Sequence, residues 1–324
     1  MSTVIEENCS VSIADVIGRF LFHCQYERNL NPKTLRAYTT DLKQFSDYVS
    51  GVSAETDIHQ LTKEVLKGYL QKISHFKAKT IKRKIASLKA MFNHLEFEED
   101  DYINPFRKIK VRFKEPYKLP TVLSIEEVKR VLQEFYQKKK QNPNKEQYTF
   151  KAQTRNIAIV ELLFATGIRV SELCGLKPGD IDIHNGLIKV FGKGSKERII
   201  QICEPETLTS LKLYHELYEE QIKCSPAFFI NRLGTPLQTQ SVRTMVKQHV
   251  KDANITKNVT PHTFRHTFAT LLLEEDVDIK YIQNLLGHSS ISITQIYTHV
   301  NTEKQRQILS TKHPRRRISF IEEG

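Results

Sequence analysis

Four short stretches in the second half of the chain carry side chains suited to attack on a phosphodiester. They are ATGIRVSEL with Arg169, GKGSKER with Lys193, HTFRHTFAT with His262 and Arg265, and GHSSISITQIYTHV with His288 and Tyr297. Attack at phosphorus puts negative charge on the non-bridging oxygens, and the permanently charged, fork-shaped guanidiniums of Arg169 and Arg265 match that need without a metal. The phenol of Tyr297, with an ordinary pKa of about 10, needs a base, for which His262 is the candidate. Lys193 suits protonation of a departing 5′-oxygen, in line opposite the nucleophile. His288 suits a hydrogen bond to a phosphate oxygen that keeps Tyr297 in register.

Taken singly, each residue has a plainer reading. Arg169 follows a helix-ending glycine and fits a surface pair with Glu172, Lys193 fits a solvated hairpin tip, and Tyr297 fits a core ring with its hydroxyl bonded. His262, His266 and His288 also fit zinc ligands by spacing. Arg265 would then sit beside the metal, and no Cys or carboxylate is spaced to complete the shell, so no metal and no other cofactor is assigned.

The elements that must position these residues are mainly helices, with a small β-sheet. From Ser12 to about Asn104 the pattern is helical: NPKTLRAYTTDLKQFSDYV (31–49) has Asn31 as N-cap, Pro32 at the first position, and Leu35, Tyr38, Leu42, Phe45 and Val49 at helical spacing. KAKTIKRKIASLKAMFNHL places Ile81, Ile85, Leu88, Phe92 and Leu95 inward and Lys82, Arg83, Lys84 and Lys89 elsewhere. Lys72 to Lys89 holds seven basic residues and no acidic one, and a single-sign face suits a phosphate backbone. Lys33, Arg36, Lys79, Lys82, Arg83, Lys84 and Lys89 are therefore candidate DNA contacts, with Lys196 and Arg198 from the later hairpin.

Residues 1–105 read as a helical domain, 106–120 as a basic linker, 121–305 as a second domain and 306–324 as a tail. In the second domain Ser124 caps a helix, QKKKQNPNKEQYTFKAQ reads as a loop, RNIAIVELLFATG as an apolar helix ended by Gly167, and GLIKVFGKGSKERIIQI as a hairpin. ISITQIYT is rich in β-branched residues and a poor helix former, suiting a weakly held element that docks and undocks its tyrosine.

A chain of 324 residues, 39% hydrophobic, is long enough for two cores. Its formal charge of +12, from 49 Lys plus Arg against 37 Asp plus Glu, points to polyanionic partners. No apolar run reaches a membrane span and the first residues are acidic rather than basic, so a cytoplasmic protein without membrane contact is expected. The five cysteines are odd in number, widely spaced and never CxxC, which predicts reduced and mostly buried thiols.

ATGIRVSELCGL, FGKGSKERII, HTFRHTFAT and LLGHSSISITQIYTHV, in that order, resemble the tyrosine recombinases, the λ-integrase and Xer group, over roughly 120 to 305. The resemblance implies a helical, SAM-like core-binding domain followed by an α+β catalytic domain, with Arg169, Lys193, His262, Arg265, His288 and Tyr297 as the catalytic set. It also implies a 3′-phosphotyrosyl intermediate, a free 5′-hydroxyl, no ATP or metal, and double-stranded DNA with a specific site as partner. The assembly implied is a homotetramer or a heterotetramer with a paralogue, coupled through the tail after 305. With about a dozen residues ahead of the first helix, simple-site, Xer-like recombination or integration of a mobile element is expected. The alternatives are a type IB topoisomerase-like enzyme and a non-catalytic DNA-binding regulator.

Overall fold

The computed structural model describes residues 11–52, 57–109, 111, 121–192, 197–275, 277–287, 306 and 309–318. The chain forms two compact units, Met1–Lys118 and Leu119–Gly324.

The first unit is built from α1 (Ile13–Phe22), α2 (Pro32–Val52), α3 (Lys63–Lys72) and α4 (Ala78–Glu98). Each start has a local cause. Ser12 Oγ accepts the Asp15 amide at 3.1 Å, the Asn31 carboxamide accepts that of Lys33 at 2.9 Å, and Thr62 caps α3. The inward stripes of α2 and α4 pack on each other, burying Leu42, Phe45 and Val49 against Leu88, Phe92 and Leu95, with Phe20 of α1 in the same core. After α4, Asn104 starts a 3₁₀ turn, Pro105–Lys108, that buries Phe106 and Ile109 in this core. The stretch expected to be linker from 106 onward thus begins as part of the first unit, because its apolar residues have a core to enter. Residues 112–120 lie outside the described residues.

In the second unit α5 (Ile125–Lys140) starts in a capping box, with Ser124 and Glu127 bonding each other's main chain. α5 runs through the lysines expected to form a loop, and α6 (Tyr148–Thr166) begins four residues after Asn144, so only 141–147 connect them. From Ile157 to Thr166 every residue of α6 is buried, since α5, α8 (Pro205–Lys223) and α10 (Pro261–Glu274) cover its faces. Two further helices, α7 (Val170–Gly175) and α9 (Thr239–Asp252), flank it, and α11 (Ile279–Leu286) follows α10. The sheet is antiparallel in the order β1 (Ile181–Asp182), β2 (Leu187–Phe191), β3 (Glu197–Gln201), with Val190 opposite Arg198 and Phe191 opposite Glu197 at the hairpin end.

Part of the stretch expected to be a tail packs on the second unit: among the described residues, Leu309, His313, Arg315 and Ile318 are buried there. Arg315 donates from Nε and Nη2 to the two oxygens of Glu161, both at 2.9 Å, and His313 Nε2 lies 2.6 Å from the Ala165 carbonyl. A buried carboxylate in α6 demands a cation, and this segment supplies it. The cysteines also depart from expectation: Cys24 is buried, Cys174 and Cys203 are half-buried, and Cys224, which closes α8, is exposed. Among the described residues no helix is long and apolar enough to cross a membrane.

Candidate active site

Two left-handed glycines shape the site. Gly167, at φ +61°, ends α6, and a Cβ there would fall 2.7 Å from Phe268 Cδ1 and 2.8 Å from Leu286 Cδ2. Only glycine lets α10 and α11 close on this turn. Gly287, at φ +62°, ends α11 in the same way.

Arg169 leaves the Gly167 turn as the residue before α7. Its main-chain N–H donates to Glu172 Oε2 at 2.8 Å, Nη1 to Glu172 Oε1 at 2.6 Å, and Nη2 to the Gly287 carbonyl at 3.2 Å. Arg265, one turn into α10, is 4% exposed, with Nη1 on the Gly167 carbonyl at 2.7 Å and Nη2 on the Leu286 carbonyl at 2.5 Å. Arg198 of β3 donates from Nε to the Leu285 carbonyl at 3.0 Å and grips both oxygens of Glu172. Three guanidiniums thus each take one of three successive carbonyls at the C-terminal end of α11. Those carbonyls have no partner within their helix and carry the negative end of its dipole, so cations are their natural complement.

The cluster is short of negative charge. Among the described residues Glu172, its side chain 4% exposed, is the one carboxylate bonded to these arginines. Burial pushes its carboxyl up, but hydrogen bonds from Arg198 and Arg169 outweigh that and hold it below the usual carboxylate range. Burial, then the neighbouring Arg169, pull Arg265 down to about 10, which leaves it charged at neutral pH. His262 shares α10 with Arg265 but stands at the surface, and its pKa lies below the ordinary imidazole value. The cause is partial burial, followed by the positive field of Arg243, His266, Arg265 and Arg169. The imidazole is therefore neutral at pH 7 and able to accept a proton. An anion would be drawn to this corner, and the chain continues from it directly into His288.

The structure brings Arg169 and Arg265 together, with His262 in their field. Lys193, Lys196, His288, Tyr297 and the segment expected to be weakly held lie outside the described residues. Sequence reasoning missed Glu172 as the hub and Arg243 of α9 beside His262. An acid three residues after Arg169 was a signal for the first; nothing local marked the second.

In the first unit Lys33, Arg36, Lys79, Lys82, Arg83 and Lys89 are exposed. Lys84 corrects the expectation of an outward face: it is 2% exposed, its Nζ 3.2 Å from Asp41 Oδ1 and bonded to Gln44. Asp41 is fully buried and also takes Arg83 and Ser87. Arg198, another candidate DNA contact, is likewise turned inward onto Glu172.

Residues 17–99 match the N-terminal SAM-like domain of phage integrases, and residues 121–304 match the phage integrase family. A tyrosine recombinase of Agathobacter rectalis is 45% identical over 306 residues, 94% of this chain and 98% of the relative. A tyrosine recombinase XerD of Halalkalibacterium halodurans is 37% identical, covering 92% of this chain and 97% of its own. Among solved structures, the post-cleavage complex of XerH recombinase with a palindromic difH substrate shares the fold at TM-score 0.68, 23% identity, over 91% of this chain and 84% of that one. λ integrase residues 75–356 bound to DNA do so at TM-score 0.66, 18% identity, over 97% and 100%. The chain belongs to the phage integrase family and is a site-specific tyrosine recombinase.

Proposed function

We propose that the chain cuts and rejoins strands at a specific site in double-stranded DNA, with Tyr297 as nucleophile and Arg169 and Arg265 as the pair that binds the scissile phosphate. The observation that carries this reading is the under-neutralised arginine corner, gathered from the turns after α6 and within α10, one residue before His288. Displacement at phosphorus loads the non-bridging oxygens with charge, and the guanidiniums answer it with preorganised donors. The Tyr297 hydroxyl oxygen bonds to phosphorus, the bond to the 5′-oxygen breaks, and a 3′-phosphotyrosyl ester remains. Neutral His262 takes the phenolic proton and Lys193 gives one to the leaving 5′-oxygen, while His288 holds a phosphate oxygen. The partner strand's 5′-hydroxyl then reverses the step, so the energy of the broken bond is kept in the ester.

The exposed basic residues of the first unit, Lys33, Arg36, Lys79, Lys82, Arg83 and Lys89, supply phosphate contacts, and Lys196 adds one from the hairpin. The working assembly is a tetramer on two sites, of this chain alone or with a paralogue, in the cytoplasm. The related λ integrase has been solved as a tetramer on a Holliday junction. The test is a nicked suicide duplex: an adduct that survives denaturation and vanishes in Tyr297→Phe supports the reading. Recombination between two cloned sites separates it from mere relaxation of supercoils.

A further inference from the structure

Arg198 sits on β3, facing back into the catalytic unit, its side chain 13% exposed. Nη1 and Nη2 lie 3.2 Å and 2.7 Å from the two oxygens of Glu172, and Nε lies 3.0 Å from the Leu285 carbonyl. All three guanidinium nitrogens thus have acceptors inside the protein. The Gly287 Cα rests against the same group: a Cβ there would fall 2.9 Å from Nη1 and 3.2 Å from Cζ. Glu172 in turn holds Arg169 by its side chain and its main-chain N–H. Arg198 therefore reaches Arg169 through Glu172, and the chain leading to His288 through Leu285 and Gly287.

We infer that Arg198 is a positioning residue and not a DNA contact: it neutralises Glu172 so that the charge of Arg169 stays available to a phosphate, and it pins the carbonyl end of α11 from which the nucleophile's segment departs. Without it, the buried carboxylate has Arg169 as its remaining guanidinium partner and draws that side chain inward. A lysine cannot replace it, because one ammonium does not span two carboxylate oxygens and a carbonyl.

This rests on Tyr297 being the nucleophile, so the unaltered protein and Tyr297→Phe run alongside and report on that reading separately. The probe is a nicked duplex recovered from a random-sequence pool by adduct formation with the unaltered full-length protein. Arg198→Gln and Arg198→Lys are compared for folding by circular dichroism, for affinity across a salt series, and for single-turnover adduct formation at saturating DNA. The expected result is unchanged affinity and salt slope with adduct formation slower by about a hundredfold in both. Glu172→Gln/Arg198→Gln should be no slower than Arg198→Gln alone. A salt slope reduced by about 0.9, as for one lost phosphate contact, with an unchanged rate at saturation, overturns the proposal. So does full activity in Arg198→Lys, or failure of both variants to fold.

Discussion

Arg315→Met is the sharpest probe of how the chain's last segment is used. The Arg315 and Glu161 side chains are both fully buried, and two hydrogen bonds of 2.9 Å join them. Tyr136 adds a third bond to Glu161 at 2.8 Å and Thr207 a longer one at 3.4 Å. Removing the cation leaves a carboxylate in a dry core, a loss of about 3–5 kcal/mol. For a unit of roughly 200 residues, each kcal/mol lowers the melting temperature by about 2–4 °C, so a drop of about 6–20 °C is expected. Glu161→Gln/Arg315→Met removes both charges yet leaves Tyr136 an acceptor, and should recover at least half of that loss. Thermal unfolding followed by circular dichroism reads both proteins. A drop below about 2 °C for Arg315→Met would refute the reasoning, as would a double variant no better than the single. The same logic recasts truncation after residue 305: it strips Glu161 of its partner and uncovers the surface under Leu309 and Ile318, so the catalytic unit should lose stability before any effect on assembly is visible.

Three further outcomes follow from single contacts. Asp41→Asn leaves Lys84 buried without its carboxylate and should destabilise the first unit by about 3–5 kcal/mol, seen as a lower urea midpoint, whereas Lys33→Ala should leave the midpoint in place. Gly287→Ala forces a side chain into the left-handed region at a cost of about 1–2 kcal/mol and presses its Cβ on Arg198, so adduct formation should fall while DNA affinity holds; equal rates would refute it. The pKa of His262 is lowered, so the neutral form needed to accept a proton persists as pH falls, and it is lost only below the ordinary imidazole value of 6.5. The acid limb of the cleavage rate should lie below that value and flatten in His262→Gln; a limb above it would show that another group titrates.

The parts of the fold legible in the sequence were those with local causes. Ser124 with Glu127, Asn31 before Pro32, and Gly167 after an apolar run each state a helix boundary in adjacent residues, and the boundaries fall there. Lys84 was misread although its signal was present. It lies three residues after Ile81 and four before Leu88, on the inward face of α4, as Asp41 lies four before Phe45 on α2. Opposite charges on the inward faces of two helices predict a buried pair, but only once the helices are known to pack on each other. Glu161 in RNIAIVELLFATG posed the same question, and its answer, Arg315, lies more than 150 positions away.

At the site, the types of Arg169, His262 and Arg265 were readable because their chemistry is in their side chains, while what holds them is not. Gly167, Leu285, Leu286 and Gly287 accept the arginines through main-chain carbonyls, and a carbonyl has no letter of its own in a sequence. The glycines come nearest to a signal, since each ends a helix in a left-handed turn that exposes its last carbonyls. This arrangement ties two functions to one contact: two of the three guanidiniums that satisfy the end of α11, Arg169 and Arg265, are those proposed to receive the scissile phosphate. A phosphate arriving at Arg169 competes with the 3.2 Å bond to the Gly287 carbonyl, the longest in the cluster to that helix end, whereas Arg265 and Arg198 keep shorter bonds to Leu286 and Leu285. Arg169 is therefore the guanidinium freest to shift its allegiance from protein to DNA. Arg169→Lys should weaken cleavage more than it lowers the melting temperature, and Arg265→Lys, which breaks two buried main-chain bonds, should lower both.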